Sequence, residues 1–264
     1  MLKTLTCALA LAAVACMAQP NHLTSQEKSA GWQLLFDGKT LSGWDDPARK
    51  SPPGNSFTVE DGCIKVTAKP RIQEELLSTA SFGDFELLFD WCISPRGNSG
   101  VKYRIQRQVF LRQDKVKRFE DLVDLSVKNP APRSKNGQDY VIAFEYQVID
   151  NRANPDALRG AKQQAGALYN LVAPASDASR PPGEWNQGRI LLRGNHVEHW
   201  LNGVKVVDAM LDAPDIAEGL ARRWGAGSSV YQLLTTQPRR ECPISLQNHN
   251  DDAWFRNIRI RRLR

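Results

Sequence analysis

The strongest constraint on this chain is strict alternation. Phe85, Leu87, Phe89, Trp91 and Ile93 alternate with a set containing Asp84, Glu86 and Asp90, the period-two pattern of a strand with one buried and one wet face. Ile258 and Ile260 alternate in the same way with Arg259 and Arg261. Turn signals separate such runs: Glu60-Asp61-Gly62 between Phe57-Thr58-Val59 and Cys63–Val66, Gly194-Asn195 between Ile190–Arg193 and Val197–Leu201, and Asn202-Gly203 after Leu201. Strands this short, interrupted this often, predict an all-β chain built as a β-sandwich or jelly roll.

Two stretches break the pattern. Arg107 to Asp139 is strongly charged and contains Asn129-Pro130-Ala131-Pro132; it reads as a long insertion with one short helix near Arg118 to Val127. From Asp212 to Trp224, Ile216, Leu220 and Trp224 recur every fourth residue behind early acidic residues, which predicts a short amphipathic helix covering a sheet edge.

The N-terminus carries Lys3, an apolar run from Ala8 to Ala15 and small residues near Cys16 and Ala18. Residues 1–18 therefore read as an export signal, too short to span a bilayer. Ala13-Val14-Ala15-Cys16 resembles a bacterial lipobox without its usual leucine, which leaves two outcomes open: a lipid on Cys16 or ordinary cleavage near Ala18. The expected locations are the periplasm or an outer-membrane-anchored lipoprotein, with membrane contact only through that lipid. Residues 30–264 have the length of one large β domain. Cys63, Cys92 and Cys242 lie within it, an odd number, so no disulfide framework supports the fold. The net charge of +6 raises nucleic acid as a partner. The C-terminal arginines alternate with isoleucines, however, and no stacking set of aromatics is interleaved with them, so the reading is a solvated strand face and no nucleic acid.

Parity locates candidate chemistry, because only residues two apart share a strand face. Lys102 and Arg104 lie opposite Val101, Tyr103 and Ile105. Glu145 and Gln147 lie opposite Phe144, Tyr146 and Val148, while Gln247 and His249 lie opposite Ile244 and Leu246. If these faces coincide, they gather a carboxylate, an imidazole, two cations and two amides, enough to bind and polarise a sugar. If they do not, each is an ordinary solvent-facing stripe. In the 195–206 hairpin, Glu198 and Trp200 share one face and His199 the other. This makes Trp200 a candidate stacking platform for a sugar and leaves His199 either core-facing or lining the site at a strand end. Trp44, Trp185 and Trp254 read as packing.

Several mechanisms are excluded. Glu145 and Asp150 are five apart and face opposite ways, so they cannot act as the paired carboxylates of a laminarinase-type retaining glycosidase. There is no nucleophile elbow, phosphate loop, dinucleotide fingerprint or clustered Cys/His metal spacing.

The chain resembles the secreted bacterial 3-keto-disaccharide hydrolase domains over nearly all of its length after the signal. The resemblance rests on Trp32–Trp44, Asn98–Tyr103, Glu145–Asp150, Gly166–Pro174, Gly183–Asn186, His199–Gly203 and Trp254–Ile258. It implies a concanavalin A-like jelly-roll sandwich that acts on an oxidised disaccharide or glucoside. A ketone at C3 acidifies the C2 proton; a base removes it, the enolate expels the C1 substituent, and water adds. On this resemblance Glu145 and His249 share the roles of base and acid, in either order, with His199 as a third catalytic candidate. Asn98, Lys102, Arg104, Gln147, Trp200 and Gln247 are expected to contact substrate. No cofactor is demanded, and a divalent metal remains open. Where the family usually reads Gln-Asp-His-Gly, this chain has Gln247-Asn248-His249-Asn250. A non-catalytic carbohydrate-binding domain or an envelope interaction protein are the competing readings.

Overall fold

The computed structural model describes residues 20–45, 56–68, 74–112, 123–124, 137–236 and 238–263. The expected export signal, residues 1–18, lies outside them, and no helix among the described residues is long and apolar enough to cross a membrane.

Among the described residues, fourteen strands form two antiparallel sheets, as the alternation predicts. The larger contains β1 (Gln33–Leu34), β3 (Phe57–Glu60), β4 (Cys63–Val66), β6 (Phe85–Ile93), β10 (Asn186–Arg193), β11 (His196–Leu201), β12 (Val204–Met210) and β14 (Ala253–Arg262). Its order is β12-β11-β10-β6-β14-β4-β3, with β1 also on β14. The smaller contains β2 (Trp44–Asp45), β5 (Glu74–Ser78), β7 (Asn98–Arg112), β8 (Val123–Asp124), β9 (Gly137–Ile149) and β13 (Ser245–Asn248), ordered β2-β5-β13-β7-β8 with β9 on β7. Three short α-helices accompany them among the described residues: α1 (Ser25–Ser29), α2 (Pro214–Trp224) and α3 (Ser229–Thr235).

The turns work as their residues require. Asp61 and Gly62 have φ of 49° and 72°, and Asn202 and Gly203 have 51° and 82°; paired positive φ values are the mark of the tight hairpin turn, which Asn, Asp and Gly adopt most cheaply. The inward faces supply the core. Phe89 of β6 meets Tyr146 of β9 edge to face at 5.3 Å between ring centroids, and Phe85 meets Tyr103 of β7 at 6.4 Å. Each such aromatic contributes about 1.5–3 kcal/mol by burial alone. Cys63, Cys92 and Cys242 are free and buried, and burial pushes each thiol above its ordinary pKa.

The 107–139 stretch differs from expectation. Arg107–Arg112 and Gly137–Asp139 extend β7 and β9 as paired strands, and Val123–Asp124 is a strand on β7 rather than part of a helix. Cross-strand hydrogen bonds override the helical propensity there. The remainder of the expected 118–127 helix lies outside the described residues. The second expected helix forms as α2 and buries Ile216, Leu220 and Trp224.

Candidate active site

The polar faces picked out by parity do meet, on the side of the smaller sheet that faces away from the core. Lys102 stands opposite Glu145 on one neighbouring strand and opposite Ser245 on the other. One step along, Gln147 is opposite Gly100, and Gln247 is opposite Glu75. Above these rows lies a cavity of about 150 Å3. Glu75, Asn98, Tyr140, Glu145, Gln147, Gln247 and Asn248 line it from the sheet, His249 from the loop after β13, and Tyr169 and Arg223 from the side.

An ion pair forms the base of the site. The Lys102 ammonium pairs with Glu75 Oε1, while Ser245 Oγ donates to Glu75 Oε2 at 2.9 Å. Burial pushes Glu75 up to about 7, against the downward pull of Lys102. Burial also draws Lys102 down, but the charges of Glu75 and Glu145 outweigh it and hold the ammonium above its ordinary range. One cation thus stands between two carboxylates in a dry environment, an arrangement that keeps one carboxyl close to neutrality in proton affinity. The ring of Tyr140 covers the ammonium at 4.6 Å.

The side wall is held from the helix. Arg223 Nη2 donates to Tyr140 Oη at 2.7 Å, and its guanidinium lies 4.9 Å from the Tyr169 ring centroid. Tyr169 donates to Asp156 Oδ2 at 2.7 Å. Burial, followed by that hydrogen bond, raises its pKa well above the usual phenol value. At the centre, the absence of a side chain on Gly100 makes room: a Cβ there would collide with the carboxylate of Glu145. With its nitrogen turned inward, the Gln147 amide donates to Glu145 Oε1 at 3.3 Å and to the Ser99 carbonyl at 3.2 Å.

Asn248 secures the rim. Its Nδ2 donates to the Ser56 and Thr67 carbonyls at 3.3 and 3.2 Å, and its Oδ1 accepts from the Asn250 amide at 2.7 Å. The side chain must therefore be both donor and acceptor, which an ionised aspartate cannot be. β13 ends at this residue, so His249 sits just beyond the strand on an exposed loop.

Four expected site residues are placed elsewhere. Lys102 is 1% exposed and lies below the cavity, engaged by Glu75, instead of lining it. Arg104 does not share Lys102's face: a bulge between Tyr103 and Arg107 gives it φ 55°, and its guanidinium reaches the Gly194 carbonyl in the β10–β11 turn at 2.5 Å. His199 points into the core. It is bonded at 3.0 Å to both Tyr103 Oη and the Gly166 carbonyl, and burial lowers its pKa to about 4. Trp200 lies on the outer face of the larger sheet, donating to Glu198 at 2.8 Å with Arg189 stacked on its ring. Trp44 packs in the core, while Arg256 covers Trp185 and Lys65 lies over Trp254.

Sequence reasoning missed Glu75, Tyr140, Tyr169 and Arg223, and singled out Asn248 only as a departure within Gln247–Asn250. The doublet Glu74-Glu75 followed by Leu76-Leu77 has no period-two signature, and Arg223 belongs to a helix read only as an edge cover. Tyr169 stood within the Gly166–Pro174 segment, which was a usable signal. Among the described residues one trio, His196, Glu198 and Asp208, has metal-ligand chemistry. The Lys205 ammonium already bonds both of its carboxylates, so the group reads as an ion network on the larger sheet.

Residues 31–261 match the family model described as a 3-keto-alpha-glucoside-1,2-lyase-like domain. The chain is 31% identical over 257 residues to a 3-keto-disaccharide hydrolase of Bacteroides thetaiotaomicron VPI-5482, covering 92% of this chain and 82% of that one. A candidate glycosyl hydrolase of Parabacteroides distasonis ATCC 8503 superposes with a TM-score of 0.69 at 25% identity, covering 93% of this chain and 100% of that one. A second crystal structure of a candidate glycosyl hydrolase from the same organism, at 22% identity and TM-score 0.55 over 88% of this chain and 99% of that one, shares the fold.

Proposed function

The chain belongs to the 3-keto-alpha-glucoside-1,2-lyase-like domain family and has a carbohydrate-active function, and on that premise we propose that it cleaves the glycosidic bond of 3-keto-glycosides. The observation that carries this reading is the convergence of Glu75, Glu145, Gln247 and His249 on one cavity above a buried ammonium. Proton abstraction beside a ketone needs a base, donors for the oxyanion and an acid for the leaving group, and this set supplies all three.

Glu145, in the cavity wall, takes the C2 proton. Glu75, whose carboxyl holds its proton up to about pH 7, faces the C3 oxygen together with the amides of Asn98 and Gln247. His249, on the exposed rim, protonates the departing C1 oxygen, and water entering there completes the net hydrolysis. Lys102 acts from below by pulling the proton affinity of Glu75 down against the effect of burial. A cavity of about 150 Å3 is small beside the roughly 300–1,000 Å3 of sites that enclose whole ligands. It receives the oxidised ring, and the leaving group stays at the rim. Export through residues 1–18 belongs to the same proposal.

The test is release of the leaving group from a 3-keto-glucoside and from its unoxidised parent, each with and without chelator. The proposal expects release from the keto form alone, and loss of release in both Glu145→Gln and His249→Ala. Equal cleavage of the two substrates, or binding without release from either, overturns it; the second result favours a carbohydrate-binding domain.

A further inference from the structure

A second cavity, of about 320 Å3, is bounded by β7, the β10–β11 turn, α2 and α3, and the glycoside chemistry makes no use of it. Its walls include Leu211, Ala217 and Leu234, with Arg104 and Arg240 as cations. Arg104 is the unusual element. It is 4% exposed and left-handed at φ 55°, a conformation that costs energy in a residue with a Cβ and survives only when its surroundings enforce it. The enforcement is visible: Gln106 Nε2 donates to the Arg104 carbonyl at 2.8 Å and to the Arg239 carbonyl at 3.0 Å, while Gln106 Oε1 accepts from the Arg239 amide at 2.6 Å. One side-chain amide thus joins the bulge to the loop segment that carries Arg240.

The guanidinium held in this way is incompletely neutralised. Nη2 donates to the Gly194 carbonyl, and Nη1 has no acceptor among the described residues. The nearest ion-pair partner, Asp84, stands at 3.9 Å, is 40% exposed and already accepts from the Gly194 amide. Asp212 also lines the cavity, but it is exposed and engaged by Asn195 Nδ2 at 2.6 Å. Burial lowers the pKa of Arg104, with the neighbouring charges opposing one another. A cavity whose wall sets an incompletely paired, buried guanidinium and a second arginine beside a patch of apolar side chains suits an anion from outside.

We propose that this cavity is a second ligand site, taking a small organic carboxylate whose anionic end pairs with Arg104 and whose body packs against Leu211 and Leu234. The planar fork of the guanidinium fits a carboxylate, and the apolar walls favour an organic acid over a bare inorganic anion.

The test is the melting temperature of the full chain titrated with benzoate and with glucuronate, using benzyl alcohol, glucose and inorganic phosphate as controls. A site for organic carboxylates gives a saturable rise with at least one of the two acids and none with its uncharged match. Glu145→Gln, which alters the first cavity, keeps that rise. Arg104→Gln weakens the apparent affinity roughly tenfold or more, as loss of a charge-assisted pair requires. Ala217→Phe, which fills the space with Arg104 intact, does the same and decides the matter if Arg104→Gln does not fold. No response to either acid, an equal response to the uncharged matches, a stronger response to phosphate, or a response kept in Ala217→Phe and lost in Glu145→Gln overturns the proposal.

Discussion

Lys102 and Glu75, 27 residues apart in sequence, form an ion pair whose side chains are 1% and 2% exposed beneath the cavity that Glu75 lines. Removing Glu75 leaves the ammonium dry and without its closest partner, and removing Lys102 leaves a desolvated carboxyl that must take up a proton. Lys102→Met, which also leaves Glu145 without its cation, is expected to cost about 3–5 kcal/mol in urea denaturation. The double variant Lys102→Met/Glu75→Leu should recover most of that loss. Additive losses would show that the pair does not act as a unit.

The protonation of Glu75 sets a pH dependence. Its folded value, about 7, lies above the ordinary 4.5, so the folded state holds the proton more tightly than the unfolded one. The resulting stability is fully present below pH 4.5 and is lost as pH rises through 7. Chemical denaturation from pH 4 to 8 should show wild type losing stability relative to Glu75→Gln across that window. A constant difference would mean that Glu75 keeps an ordinary pKa.

His199 runs the other way. Burial lowers its value from 6.5 to about 4, so its contribution is present above pH 6.5 and lost as pH falls through 4. The full span is on the order of 3 kcal/mol. His199→Gln should be less stable at pH 7 but flatter between pH 6.5 and 4, a slope that the same denaturation series measures.

Gly100 leaves the space that Glu145 occupies. In Gly100→Ala the carboxylate must swing away, and a displacement near 1 Å can cost about 100-fold in rate. Turnover should therefore fall by roughly that factor while the far-ultraviolet spectrum stays unchanged. Unimpaired turnover would remove Glu145 from the reaction.

Asn248→Asp removes both donations to the Ser56 and Thr67 carbonyls. The Ser56 carbonyl keeps the Thr67 amide as a donor, but a carboxylate oxygen then faces both carbonyls, and each hydrogen bond lost costs about 0.5–1.5 kcal/mol. A drop in melting temperature is the expected result, and an unchanged one would show that the rim tolerates a carboxylate.

Much of this architecture is legible because strand parity is local. Glu145, Gln147, Lys102 and Gln247 fall on outer faces by their immediate neighbours alone, and those faces do form one polar surface. Parity fails at Arg104, where a bulge turns the strand, and it overruns at His249, which lies past the end of β13. Arg223 and Tyr140 are invisible to it because helix and strand meet through contacts between residues 83 and 84 apart, the Arg223–Tyr140 hydrogen bond and the packing of Trp224 on the Tyr140 ring.

The sequence by itself determined the strands, the hairpin turns and which side chains share a face, since these depend on a two-residue period and on the φ preferences of Asn, Asp and Gly. Tertiary structure alone decided what each face meets. The same alternation that turned His199 inward could not say that Tyr103, 96 residues away, would bond it. Nor could it say that Glu75 would find Lys102 and hold a proton near neutrality, because desolvation and charge pairing arise from groups brought together only when the sheets close.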